Sequence, residues 1–97
     1  MFKDFIGNDM KIGDYCAVVI GSGKARSTLI VCKVVKVSFS EKSGDYLTLI
    51  RSDETYDGST KYETKKWNLF YSDRCFKMEK YRVPNGTRIR LDAWKGK

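Results

Sequence analysis

A chain of 97 residues that is 41% apolar and 13% aromatic holds enough material for one packed domain and lacks the composition of a disordered chain. Nineteen Lys and Arg against 12 Asp and Glu leave it at +7, a balance that draws a surface toward phosphate backbones or acidic protein patches. There is no His, which removes the commonest general base and metal ligand, and no apolar run approaches the roughly 20 residues that span a bilayer.

Phe2, Phe5 and Ile6 stand at i, i+3 and i+4, enough for one helical turn at the start. Gly13-Asp14 then launches a first strand, about Asp14 to Ile20. Gly21 to Ser27 is a polar loop carrying Lys24 and Arg26. The second strand, about Thr28 to Phe39, is long. Its early inward candidates are Ile30, Cys32 and Val34, its later ones Val35, Val37 and Phe39. The phase flips between Val34 and Val35, which predicts a bulge or sharp bend, as when one strand serves both sheets of a small barrel. Glu41 to Asp45 is a hairpin turn. The third strand, about Tyr46 to Arg51, sets Leu47 and Leu49 against Tyr46, Thr48 and Ile50. An acidic segment, Ser52 to Thr60, turns at Asp57-Gly58.

A fourth strand fits Thr64 to Tyr71, with Trp67, Leu69 and Tyr71 as core candidates. Ser72-Asp73-Arg74 turns the chain into a fifth strand beginning near Cys75, with a helical turn over Phe76 to Tyr81 as the rival assignment. Pro84-Asn85-Gly86 is a tight turn. After it Thr87, Ile89, Leu91 and Ala93 alternate with Arg88, Arg90 and Asp92, the pattern of a half-buried last strand with its arginines outward. Short strands separated by regular turns predict an all-β fold. The expected architecture is a single small barrel domain over 1–97, with its core at about 10–80 and a C-terminal β-hairpin at about 75–94.

Ile12 to Val19, a glycine-containing loop, and Leu29 to Val37 (LIVCKVVKV) together resemble the opening of KOW-type, Src-homology-3-like small β-barrels. The shared pattern is a Gly-Asp turn, an apolar strand, a loop, and a strand of the form Gly-Lys-Val-apolar-Lys-apolar; Cys32 stands where that pattern has glycine. Such barrels occur in ribosomal and transcription proteins and in small proteins of large tailed phages. The resemblance implies a barrel that binds nucleic acid or protein.

Nothing in the chain assembles into a catalytic motif. Gly21-Ser22-Gly23-Lys24 lacks the leading glycine of a phosphate loop, where Val18 stands, and the hydroxyl after the lysine, where Ala25 stands; a strand follows it instead of a helix. Asp53, Glu54 and Asp57 lack the twelve-residue calcium pattern. Cys16, Cys32 and Cys75 are odd in number and without CxxC spacing, as for buried free thiols in a reducing cytoplasm. The expectation is no enzyme, no cofactor, no metal and no small-molecule substrate.

The basic residues carry the functional expectation. From Thr60 to Lys97 there are 11 bases and 4 acids. Lys24, Arg26, Lys33, Lys36, Lys65, Lys66, Arg88 and Arg90 are the candidate nucleic-acid contacts, with Trp94 as a possible aromatic contact or a plug at the end of the barrel. The function these imply is non-catalytic binding of a DNA or RNA backbone; the resemblance to KOW-type barrels implies a phage-type accessory protein acting on host or viral DNA or its transcription, in the host cytoplasm if the protein is viral. The alternative is an inhibitor or adaptor that docks its basic face on an acidic host protein surface.

Overall fold

The structure, a computed structural model, describes residues 2–20, 28–54 and 62–94. Five strands form one antiparallel sheet: β1 (Tyr15–Ile20), β2 (Thr28–Ser40), β3 (Gly44–Glu54), β4 (Tyr62–Leu69) and β5 (Cys75–Met78), in the spatial order β4-β3-β2-β1-β5. A 3-10 turn at Ser72–Arg74 leads into β5, a second at Lys80–Arg82 leaves it, and a short helix, α1 (Asn85–Asp92), follows. The fold is mostly β, and the sheet is not closed: β4 and β5 are its edges.

The local chemistry matches the elements. Gly13, at φ +94°, makes the turn into β1, and Gly44, at φ +74°, closes the β2–β3 hairpin; both lie where a side chain would be strained. The β2–β3 register slips between Val34 and Lys36, so Val35 is the extra residue of a bulge. Before the bulge Cys32 and Val34 point into one cluster, while after it Val37 does. Val35 packs on the opposite side. The bulge read in the sequence is there, but Val35, expected on the same side as Val37, is the extra residue itself and faces the other way. Phe39, an inward candidate, is instead exposed, because β2 has by then run beyond the core into its hairpin.

The two faces bury different clusters. The inner one holds Phe2, Met10, Cys16, Val18, Cys32, Val34, Leu47, Leu49, Leu69 and Cys75, with Trp67 half-buried against it. The outer one holds Tyr15, Ile50, Val83 and Leu91, with Val31, Val35, Met78 and Trp94 packed on it.

All three thiols are free and buried. A hydrogen bond with Cys75, and then burial, push the Cys16 thiol well above its ordinary range. A thiol so protonated is a poor nucleophile. Native protein should therefore label slowly with a thiol reagent at neutral pH and fully in denaturant; rapid native labelling of Cys16 and Cys32 would contradict this packing.

The N-terminal arm covers the β5 edge. The Phe5 amide donates to the Cys75 carbonyl at 2.8 Å, and Phe2 and Met10 fill one end of the inner cluster. The buried Asp4 carboxylate accepts hydrogen bonds from the amides of Asn8 (2.7 Å), Ile6 (3.1 Å) and Lys77 (2.7 Å), and from the Asn8 side chain (3.2 Å). The segment over Phe2 to Ile6 is thus a turn built around Asp4, closed by a bridge between Lys3 and Asp9.

The expected C-terminal hairpin is overturned. Asn85–Asp92 is a helix, entered from Pro84 in extended conformation, with the Arg88 amide bonded to the Pro84 carbonyl at 2.9 Å. Leu91 and Trp94, three apart, pack on the outer cluster while Ile89 is exposed. Helical spacing buries that pair, whereas a strand would have buried Ile89 with Leu91. Phe76 to Met78 is strand, and the helical alternative holds only for Lys80–Arg82.

Candidate nucleic-acid interface

Adjacent strands bring residues far apart in sequence into rows. On the outer face one row runs Met78, Tyr15, Lys33, Ile50, Lys66. The next, past the bulge, runs Lys36, Thr48, Asn68, and Ser38 with Tyr46 extends the same face toward Phe70. Helix α1 lies across β2 and β3 and covers the part of this face around Tyr15, Ile50 and Val35.

Beyond the helix, Lys36, Lys66, Asn68 and Phe70 are exposed. Thr48 donates its hydroxyl proton to the Asn68 carbonyl oxygen at 3.0 Å, which ties β3 to β4 between the two lysines. The Tyr46 and Phe70 rings stack with centroids 4.9 Å apart. None of the residues in these rows is acidic.

The other candidates are distributed differently. Lys33 is committed to structure: its ammonium bonds Asp92 at 2.9 Å and sits 5.7 Å from the centre of the Tyr15 ring. Tyr15 also donates its hydroxyl to Asp92. Burial first, then the Asp92 carboxylate, push the Tyr15 phenol up to about 12. Those two hydrogen bonds hold the Asp92 carboxyl below its usual range. The network clamps the end of α1 to β1 and β2.

Arg88 and Arg90, expected to project from a strand, are half-buried on α1; Arg88 reaches the Asn85 side chain at 3.3 Å and Arg90 the Thr87 hydroxyl at 3.3 Å. Trp94 is half-buried against the outer cluster, so it seals the helix to the sheet and is not an open stacking surface. Lys65 pairs through its backbone with Arg51, and its side chain lies outside the described residues. Lys24 and Arg26, the turn at Asp57-Gly58 and most of the acidic segment also lie outside them.

Beside Phe70, a cleft of about 280 Å³ opens at the gap between β1 and β4. Val18, Val19, Trp67, Leu69 and Tyr71 line it with Asn68, Phe70 and Arg74. Tyr71, a core candidate in the sequence, is 69% exposed at this site. Arg51 stands 5.9 Å from the centre of the Trp67 ring, and the buried Trp67 indole N–H has no acceptor among the described residues. Among the described residues no group of three or more carboxylates and thiols is placed to hold a metal, and no helix is long and apolar enough to cross a membrane.

No family model, no curated protein and no solved structure matches the chain.

Proposed function

We propose that this chain is a non-catalytic nucleic-acid-binding domain whose contact surface is the outer sheet face left uncovered by α1. The observation that carries the reading is the register that sets exposed Lys36 and Lys66 in neighbouring rows that contain no acid, on the same face as the Tyr46–Phe70 pair. Cations on a sheet beside aromatic rings suit a surface that follows a phosphate backbone.

The finer architecture we read as Src-homology-3-like. Its support is the bulge at Val35 in the long β2, a strand that contributes side chains to the clusters on both faces of the sheet. With the KOW-like opening at residues 12–37, this favours a phage-type accessory protein acting on DNA or transcription in the cytoplasm, the host's if the protein is viral. A basic inhibitor or adaptor docking on an acidic protein surface is the competing reading.

The test is recovery of partners from host lysate with and without nuclease, followed by titration of labelled oligonucleotides at rising salt. Nuclease-sensitive recovery and a log affinity falling linearly with log salt, by about 0.7 per phosphate contact on single strands and about 0.9 on duplex, are the expected results. A nuclease-resistant protein partner, with no oligonucleotide shift at low salt, would replace this reading with the inhibitor.

A further inference from the structure

We infer that the cleft between β1 and β4 receives an unpaired nucleobase, so that the preferred ligand is single-stranded nucleic acid; the inference rests on the nucleic-acid reading above and narrows it.

The two edges of the sheet are treated differently. The β5 edge is covered by the N-terminal arm. The β4 edge has no strand paired to it among the described residues, and the cleft opens there. At about 280 Å³ it falls just below the range that accepts drug-sized ligands, which is the scale of one planar ring system.

Its walls are aromatic and aliphatic: Trp67, Phe70 and Tyr71 on the β4 side, Val18 and Val19 on the β1 side. Phe70 is 42% exposed although it already stacks on Tyr46, so the pair offers a further ring surface at the edge. Every base has a π-face, and aromatic side chains at an exposed site are a general means of holding unpaired bases. Bases inside a duplex are stacked on each other and cannot reach such a slot without being flipped out.

Charge selects the same occupant. Arg74 stands at one side of the cleft. Lys66 does not line the cleft; it lies on the outer face, four residues before Phe70 and so about 13 Å along the strand, with Lys36 two strands away on the same face. No residue lining the cleft is acidic; Asp73, beside Arg74 in the 3-10 turn, is the acid nearest in sequence. A strand crossing β4 would set a base between Phe70 and Tyr71 and lay its phosphates toward Lys66 and Lys36.

The experiment compares a labelled single-stranded oligonucleotide with the duplex of the same sequence, by anisotropy at low salt. It uses the native chain, Phe70→Ala and Tyr71→Ala. Single strands should bind at least tenfold more tightly than duplex. Each substitution should weaken the single strand about 5- to 100-fold and leave the salt slope unchanged, because neither removes a phosphate contact. In a Trp94→Phe background the remaining Trp67 should be quenched by the oligonucleotide. Tyr71, more exposed than Phe70, keeps the test valid if Phe70→Ala perturbs folding.

Equal affinity for single strands and duplex, with both substitutions silent, would overturn the inference and leave the nucleic-acid reading standing. Absence of any oligonucleotide binding would overturn both. Trp67 quenching by an acidic peptide that the oligonucleotide does not displace would assign the cleft to a protein partner.

Discussion

Asp4→Ala is expected to lower the melting temperature by about 10–25 °C. The carboxylate gathers three backbone amides and one side-chain amide, and the Lys77 amide among them belongs to β5. Removing it strips a charge-assisted hydrogen bond from a sheet edge and frees the turn that holds Phe2 and Met10 in the inner cluster. The amides of the exposed Ile6 and Asn8 recover water, so the cost is that of the Lys77 contact and the loosened arm, about 2–4 kcal/mol. That is a large part of the 5–15 kcal/mol that holds a domain of this kind.

Asp4→Asn should be nearly as damaging. The amide keeps one acceptor oxygen but turns an N–H group toward one of the donors that Oδ1 and Oδ2 now receive. Burial raises the Asp4 pKa, but the amides of Lys77, Asn8 and Ile6 outweigh it and the net shift is downward. A carboxylate whose folded pKa lies below its unfolded value stabilises the fold above the ordinary value of 3.8. That contribution disappears as pH falls from there through the lower folded value. The native chain should therefore lose stability below about pH 4 more steeply than Asp4→Asn does. Parallel acid profiles, or a melting point within about 2 °C of native for Asp4→Ala, would show that the arm carries little of the fold.

How much of this is legible in the amino-acid sequence depends on the range of the interaction. The bulge in β2 is readable because it is written in one strand: the apolar phase flips at Val34 and Val35 whatever surrounds it. The turns at Gly13 and Gly44 are readable because positive φ is a local demand. Helix α1 is not. Thr87 to Ala93 alternates with period two, and eight residues including Gly86, Thr87 and Ile89 have weak intrinsic helix preference. What decides is the sheet, where Leu91 and Trp94 find Tyr15, Ile50 and Val35, a contact absent from any local window.

The site divides in the same way. Lys36 and Lys66 are found by composition, but the pairing that sets them near Tyr46 and Phe70 is a register between strands joined through residues 55–61. Lys33 shows the converse error. A lysine on a strand reads as a phosphate contact, and only the fold reveals Asp92, 59 residues away, as its partner. Asp4 gives no signal at all, since a lone acid near a terminus is ordinary until β5 arrives beside it.

Charge reversal at the two exposed lysines should abolish binding with the fold intact. Lys36 and Lys66 are solvent-facing, and neither belongs to an ion pair found among the described residues, so Lys36→Glu/Lys66→Glu should melt within about 0.5 kcal/mol of the native chain. If each neutralises one phosphate of a single strand, the milder Lys36→Gln/Lys66→Gln should flatten the slope of log affinity against log salt by about 1.4. Reversal replaces two attractions with two repulsions and should cost at least a hundredfold at low salt. Two further variants locate the effect. Lys3→Gln/Lys11→Gln sits on the arm beside β5, at the opposite edge from β4, and should leave the slope as it is. Lys33→Gln cuts the bond to Asp92 and should loosen α1, seen as a lower melting point, with little change in slope. If reversal at Lys36 and Lys66 left oligonucleotide affinity unchanged while the arm variant weakened it, the contact surface would lie at the β5 edge, and the face beside α1 would be an ordinary solvated surface.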